Sequence, residues 1–305
     1  MSRRLLFVCI ALFVLRDPQV SAQFTDPHNY DNTPVGTNQL EFAYAYAHSN
    51  ASIDTSLIVT GAHLNLNSGS VSYTRYFGLA HRLVWAEASL PLAGLSGSVD
   101  GTIIRGSVNG VGDSGYTVSA LLKGGQAMSL EQFENYTPVT VLGLSLAVTA
   151  PTGSYNSNKL LNLGSDRWSF KPEFALSHPF GAEHKWQVDA YANAEFFTDN
   201  TTYHGHEVLR QRPLPGFEGH LSYSFLNSLW ASLDTRFCFR GDTVVNGVPQ
   251  NNPQQSFVFG SEVNVSLNDS SGLVFEFAKA LLHQNSPLYT GVAVKYSYSW
   301  GGKHR

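Results

Sequence analysis

Polar and ionisable side chains recur at every second position of several otherwise apolar segments of this sequence. Lys171 and Glu173 show this spacing, and so do Gln187 and Asp189. Residues of equal parity share one face of a β-strand, so these side chains would line a surface together. A row of such groups can set the selectivity of a pore. The full set of candidates is Lys171, Glu173, Gln187, Asp189, Asn193, Glu195, Glu218, His220, Asp234, Arg236, Arg240, Glu262, Asn264 and Lys295.

Catalytic and metal-binding motifs are weaker. Residues 110–115 match the glycine spacing of a dinucleotide-binding loop, but a strand follows where that motif needs a helix. His204 and His206 share a polar stretch without a further evident ligand set. His220 and Ser222 could belong to an outer-membrane lipase, yet their parity directs them away from lipid. We therefore predict no catalytic residue, no metal site and no cofactor.

The elements that carry the candidates are predicted to be β-strands. In residues 289–300, Val292, Val294 and Tyr296 share one parity, whereas Lys295 and Ser297 share the other. Strict alternation of this kind predicts strands with one apolar and one polar face. We predict twelve strands, at residues 38–48, 69–78, 82–93, 113–123, 138–150, 166–178, 185–198, 214–225, 229–240, 255–267, 272–283 and 289–300.

The composition indicates that these strands meet lipid. Only 14% of the 305 residues are charged, compared with about a quarter in soluble domains. Beyond the N-terminus, no apolar stretch approaches the roughly 20 residues of a membrane-spanning helix. Disorder is excluded because 12% of the residues are aromatic. An apolar parity facing lipid and a polar parity facing inward explain both the scarcity of charge and the alternation.

The connections and the tryptophans favour a barrel in the outer membrane. Most links on one side are short, whereas those on the other side are long and polar, at residues 49–68, 94–112, 151–165, 199–213 and 241–254. This asymmetry is typical of an outer-membrane barrel, and an even strand number leaves no unpaired edge in lipid. Four tryptophans lie at strand ends, as in an interfacial girdle: Trp168, Trp186, Trp230 and Trp300. We predict an all-β, up-and-down antiparallel transmembrane barrel of twelve strands, with both termini periplasmic.

The N-terminus predicts export. Arg3 and Arg4 precede an apolar run at residues 5–15, and small residues follow at Ser21 and Ala22. We predict that residues 1–22 are a cleavable signal peptide and that residues 23–305 form one barrel domain. Loss of three arginines and one aspartate moves the formal net charge from −4 to −6. Nucleic acid is therefore not an expected partner, because its binding needs a clustered basic face.

Several segments resemble a known family. They are residues 110–113 (Gly-Val-Gly-Asp), 151–155 (Pro-Thr-Gly-Ser-Tyr), 162–173 (Asn-Leu-Gly-Ser-Asp-Arg-Trp-Ser-Phe-Lys-Pro-Glu) and 196–200 (Phe-Phe-Thr-Asp-Asn). They resemble the bacterial outer-membrane transporter family of the MetA pathway of phenol degradation, over most of the mature chain. The resemblance implies a β-barrel that passes small, often hydrophobic or aromatic compounds. In one departure, five residues follow Trp300, whereas such barrels commonly end at an aromatic residue that the assembly machinery reads.

The functional prediction is passive diffusion of small organic solutes through a polar lumen, without enzyme activity. The expected partners are outer-membrane lipid, the solute and the barrel-assembly machinery. An excess of inward carboxylates favours neutral or mildly cationic solutes; alternatively, the same groups form a paired network that fills a narrow interior. Other interpretations are a non-transporting structural barrel, an outer-membrane lipid-modifying enzyme, and a secreted β-sandwich binding protein.

Overall fold

A computed structural model describes residues 25–49, 62–99, 105–159 and 161–302, so the predicted signal peptide lies outside the described residues. Within these described residues there are seventeen strands: β1 (Thr37–Ser49), β2 (Ala62–Leu79), β3 (Arg82–Val99), β4 (Arg105–Val111), β5 (Ser114–Lys123), β6 (Val141–Ala150), β7 (Ser169–Phe180), β8 (Trp186–Phe197), β9 (Asn200–Tyr203), β10 (Glu207–Gln211), β11 (Leu214–Leu226), β12 (Leu229–Arg240), β13 (Thr243–Val245), β14 (Val248–Pro249), β15 (Gln254–Asn268), β16 (Ser271–Gln284) and β17 (Tyr289–Gly301). Helix α1 (Leu130–Glu134) lies between β5 and β6, and a 3-10 turn spans Ala182–His184. Neither helix is long and apolar enough to cross a membrane.

Twelve of the strands close an antiparallel barrel, as the alternation predicts. Each barrel strand pairs with its neighbour in the chain, and β17 returns to pair with β1 from Gly301 opposite Thr37 to Tyr289 opposite Ser49. Closure leaves no open sheet edge, which lipid would not tolerate. Each of the twelve predicted strands overlaps one barrel strand, and the β-sandwich alternative is wrong.

Four predicted loops contain strand. Residues 62–68 belong to β2, and β3 continues to Val99, where it pairs with the additional strand β4. Alternation continues there with reversed polarity, because Leu64 and Leu66 are buried inside while the intervening positions are polar. A prediction that assigns apolar faces to lipid cannot recognise such a strand. The loops at 199–213 and 241–254 likewise contribute β9, β10, β13 and β14 to a separate four-stranded sheet.

The outer surface of the barrel has an apolar belt with aromatic residues at its borders. Large side chains of one parity are exposed on successive strands, including Phe42, Leu144, Phe174, Phe217, Leu233 and Val292. Trp168, Trp186 and Trp300 are also exposed at strand ends, in agreement with a girdle. Trp230 is an exception: it lies on the inward parity, and its ring is 4.5 Å from that of His28 inside the barrel. Its assignment to the girdle is wrong.

Candidate functional site

The barrel has two unlike ends. Short links such as Ala80–His81 and Asn227–Ser228 define the turn end, and the long connections define the loop end. Residues 25–36, the N-terminal segment, enter the barrel at the turn end. There the amide of Val35 donates to the carbonyl of Met128 and that of Gly36 to the carbonyl of Tyr76, both at 2.9 Å.

From the turn end the N-terminal segment climbs along the inner face of β8. Three of its residues bond to inward side chains that are two positions apart, at 2.8–3.3 Å: Asp31 with Gln187, His28 with Asp189, and Asp26 with Tyr191. Inward side chains of one strand repeat every two residues, so the segment runs lengthwise along β8. It is therefore anchored along its length rather than at one point.

The upper part of the N-terminal segment is bound by two buried carboxylates. The amide of Thr25 donates to Glu218 Oε2 at 2.7 Å, and its hydroxyl lies 2.9 and 3.0 Å from the two oxygens of Glu173. The amide of Asn193 donates to both carboxylates at 3.0 Å. The buried carboxylates are thus satisfied by neutral donors, as buried polar groups generally must be.

Tyr30 is the fully buried aromatic anchor of the N-terminal segment. Its ring centroid is 5.6 Å from that of Trp85 and 5.3 Å from that of Tyr191, and its hydroxyl donates to Glu173 Oε1 at 3.0 Å. Burial, together with the negative charge of Glu173, raises the pKa of the Tyr30 phenol, so the phenol remains protonated and donates. Gly143 on β6 leaves room for this ring, since a Cβ there would overlap it and lie 3.1 Å from its Cγ.

A buried lysine occupies the opposite wall. Lys295 Nζ lies 2.6 Å from Asp26 Oδ2 of the N-terminal segment and also contacts Glu276. One oxygen each of Asp26, Glu262 and Glu276 lies within 4.8 Å of the others, an arrangement that resembles a cation site. The ammonium group of Lys295 contacts two of these carboxylates and supplies the positive charge that their burial requires.

A cavity of about 670 Å³ extends along the walls of β1, β2 and β3, from Leu64 near the loop end to Gln39 and Tyr76 near the turn end, beside the N-terminal segment. Thr25 and Asp26 contribute to its lining on the turn side, whereas Leu64, Leu66 and Leu95 contribute on the loop side. These leucines belong to a buried apolar cluster, which consists of Ala47, Leu64, Leu66, Ala93, Leu95 and Leu163. The lumen is therefore polar around the N-terminal segment, as predicted, but apolar towards the loop end.

The cavity is also lined by an inward loop, defined as residues 151–159 and 161–165. Asp113 holds both ends of this loop: Oδ1 accepts from the amide of Gly153 at 2.8 Å, and Oδ2 accepts from the amide and hydroxyl of Ser165 at 2.8 and 2.6 Å. Gly153 and Gly164 pack so closely that a Cβ on Gly153 would lie 2.7 Å from the Cα of Gly164. These contacts bring together three of the segments that carry the family resemblance, namely residues 110–113, 151–155 and 162–173.

The structure brings most of the predicted site residues into the lumen. Nine are buried: Glu173, Gln187, Asp189, Asn193, Glu218, His220, Asp234, Glu262 and Lys295. Three more line the cavity, namely Lys171, Glu195 and Arg236. The other two lie away from the cavity, with Asn264 partly exposed in the turn-side half of β15 and Arg240 exposed at the loop end of β12. A role in transport remains a prediction for all of them.

The position of the N-terminal segment inside the barrel and the apolar side of the lumen were not predicted from the sequence. Two inward aromatic residues that line the cavity, Trp85 and Tyr289, were not predicted either. These residues lack the alternation of lipid-facing apolar and inward polar side chains on which the predictions rest.

Comparison with known proteins identifies the family. Residues 46–296 match the sequence model of the family described as "Putative MetA-pathway of phenol degradation". The chain belongs to this family. No curated protein matches the sequence.

Solved structures are similar to this chain, and the first of them shares its fold. The crystal structure of an outer membrane channel from Pseudomonas putida F1 is similar with a TM-score of 0.78 and 22% identity, covering 91% of this chain and 100% of that one. The β domain of the Bordetella autotransporter BrkA has a TM-score of 0.49 and 11% identity, with coverage of 88% and 100%. The transport unit of the autotransporter AIDA-I from Escherichia coli has a TM-score of 0.49 and 8% identity, with coverage of 91% and 94%.

Proposed function

We propose that this protein is an outer-membrane channel through which small, largely apolar organic solutes diffuse passively along the barrel lumen. The observation that carries the proposal is the cavity of about 670 Å³ inside the barrel, a size within the roughly 300–1,000 Å³ range of small-molecule sites. Membership of a phenol-degradation family and the similarity to an outer membrane channel support the same function.

In this proposal the loop end faces outward and the turn end faces the periplasm, with both termini on the periplasmic side. Residues 1–22 are removed as a signal peptide, and the remaining chain forms the barrel with the help of the assembly machinery. A solute reaches the leucines at the loop end first, where it loses its water shell against Leu64, Leu66 and Leu95.

The N-terminal segment obstructs the lower lumen, so passage requires that it move aside. Many of its contacts are hydrogen bonds, such as that donated by Thr25 to Glu218 and that accepted by Asp31 from Gln187, and water can replace such bonds at a small net cost. The barrel strands, in contrast, are tied to both neighbours by continuous ladders. The N-terminal segment is therefore easier to displace than any barrel strand. Diffusion past it needs no enzymatic step.

The lipid-modifying enzyme is a weaker candidate. Ser222 is 1% exposed and His220 is 2% exposed, and both face the interior behind the N-terminal segment. A lipid in the surrounding bilayer has no contact with either side chain. The cavity likewise favours a channel over a purely structural barrel.

Expression in intact Gram-negative cells tests the proposal. We expect the protein in the outer-membrane fraction, with the heat-modifiable gel mobility of a folded barrel, and faster uptake of labelled toluene than in cells with an empty vector. Folded, correctly located protein that leaves uptake at the vector level would rule out the channel.

A further inference from the structure

Two polar side chains that line the cavity are left without a hydrogen-bond partner among the described residues. Arg236 on β12 and Tyr289 at the start of β17 both line the cavity. Tyr289 is only 5% exposed, and neither its hydroxyl nor Nε of Arg236 forms a hydrogen bond with any described residue. The two are neighbours in the wall, because Val258, the cross-strand partner of Arg236, packs in one buried cluster with Tyr289. Because buried polar groups in folded proteins are almost always satisfied, this pair needs an explanation.

Arg236 Nε does not form a hydrogen bond with the neighbouring carboxylate. The nearest carboxylate is Glu218, whose Oε1 lies 3.8 Å from Arg236 Nε, beyond hydrogen-bond distance. Glu218 already accepts from the amide of Thr25 at 2.7 Å and from the side chain of Asn193 at 3.0 Å. The guanidinium is therefore free to donate into the cavity.

The surroundings of the pair define the group that it would accept. A guanidinium and a phenol hydroxyl both donate, so their complement is an acceptor oxygen. Glu218 lies directly opposite Arg236 on β11, and its carboxylate, 3.8 Å from Nε, balances the charge of the guanidinium, which disfavours a second anion such as a carboxylate. Close by, the cavity wall is apolar at Val258 and Leu214.

We propose that Arg236 and Tyr289 bind an uncharged hydroxyl or carbonyl oxygen on an otherwise apolar solute while that solute occupies the lumen. The inference rests on the proposed channel function and assigns its selectivity to two residues. They favour oxygen-bearing solutes over plain hydrocarbons and over organic anions of the same size.

The test compares channel-dependent uptake of three matched probes, toluene, benzyl alcohol and benzoate, by cells that express the full chain. The unmodified protein should pass benzyl alcohol faster than benzoate. Y289F should slow benzyl alcohol about threefold and R236M about tenfold, each with less than a twofold effect on toluene, as expected for loss of one or more hydrogen bonds. R236K keeps the charge but loses the planar fork of donors, and should fall between R236M and the unmodified protein.

Y46F is the matched control. Tyr46 is exposed on the outer surface of the barrel and its hydroxyl donates to Asn65 Oδ1 at 3.0 Å, so Y46F should leave the ratio of benzyl alcohol to toluene uptake unchanged. Heat-modifiable mobility confirms that each variant folds.

The possible outcomes separate the two claims. If the unmodified protein accelerates toluene and benzyl alcohol but R236M, R236K and Y289F leave their ratio unchanged, only this inference is overturned. Faster uptake of benzoate than of benzyl alcohol overturns it as well. If no probe exceeds the vector level, the proposed function fails and the inference fails with it.

Discussion

The hydroxyl of Tyr30 donates a hydrogen bond of 3.0 Å to Oε1 of Glu173, a residue 143 positions further along the chain. This bond joins the N-terminal segment to the barrel wall at a carboxylate that is itself buried. The bond supplies one of the donors that the buried carboxylate of Glu173 needs, and it also holds the N-terminal segment against the wall. The lumen is consequently narrowed by a segment whose contacts are specific but mostly polar.

Loss of the Tyr30 ring should open the lumen. Y30A removes a fully buried aromatic side chain, a change that typically costs about 3–5 kcal/mol in packing. We expect the N-terminal segment to leave the lumen far more often, with mean conductance in planar bilayers rising at least about tenfold. Y30F is the control: it keeps the ring and loses the hydrogen bonds of the hydroxyl with Glu173 and Ser145, of which the bond to the charged group is worth about 1.5–3 kcal/mol, so its conductance should rise less. Equal conductance of Y30A and the unmodified protein would contradict an obstructing role.

Gly143 tests the same contact from the barrel wall. In G143A the added Cβ would overlap the Tyr30 ring, and overpacking of this kind costs about 1–3 kcal/mol. The variant should therefore show higher conductance although the N-terminal segment is unchanged. G272A is a suitable comparison, because a Cβ on Gly272 has its nearest neighbour at an ordinary 3.5 Å. If both variants conduct alike, Gly143 has no special relation to the segment.

Asp113 should control the order of the inward loop. D113A removes the acceptor of three hydrogen bonds from Gly153 and Ser165, each worth about 1.5–3 kcal/mol because the acceptor is charged. Hydrogen exchange at the amides of Gly153 and Ser165 should accelerate by at least about tenfold. D199A removes an exposed ion pair with Arg210, worth about 0–1 kcal/mol, and should leave those amides protected. Unchanged exchange in D113A would show that the loop is held by other contacts.

His28 should make closure of the lumen dependent on pH. Burial disfavours its protonated form, but the carboxylates of Asp31, at 2.7 Å, and of Asp189 and Asp234 outweigh this effect and raise the pKa of His28 above its usual value near 6.5. Asp31 moves with His28, whereas Asp189 and Asp234 lie on the barrel wall, so the part of the increase that these two cause stabilises the bound segment. This contribution is complete below pH 6.5 and disappears as the pH rises through the raised pKa. Conductance should therefore increase from pH 6 towards alkaline pH, as bilayer recordings at stepped pH can measure.

H28Q provides the control for this pH dependence. The glutamine retains a polar side chain but does not titrate, so its conductance should vary little over the same range. A profile for H28Q that matches that of the unmodified protein would assign the pH dependence to another group.

The barrel itself is predictable because lipid imposes one simple rule on every strand. Charged residues such as Lys171 and Asp234 could not face hydrocarbon, so parity alone assigns them to the lumen. The rule does not apply to residues whose strand or segment does not face lipid. It therefore missed the upper part of β2, where Leu64 and Leu66 point inward, and the N-terminal segment, which has no alternation.

One feature of the sequence indicates that further hydrogen-bond donors lie inside the barrel, but it does not say which residues supply them. The excess of inward carboxylates over inward cations requires further donors inside the barrel, and the amide and hydroxyl of Thr25 supply some of them. No composition or spacing rule assigns a short polar stretch before the first strand to this role. The pairing depends on three-dimensional distances that a single sequence does not encode in a readable form.

A reversible crosslink tests most directly whether solutes pass through the lumen and past the N-terminal segment. A Cβ on Gly143 would lie 3.1 Å from Cγ of Tyr30, which places the two Cβ positions close to the roughly 3.5–4.5 Å of a disulfide. The variant Y30C/G143C is made with C238S, because Cys238 also lines the cavity. The C238S variant alone is the control for effects of the redox reagents.

Toluene uptake by cells carrying Y30C/G143C/C238S is the decisive measurement. We expect rapid uptake when the pair is reduced, a fall of at least about tenfold when the disulfide forms, and recovery with reductant, while C238S alone responds to neither reagent. Uptake that is equally fast with the disulfide fully formed would contradict a path through the lumen past the N-terminal segment.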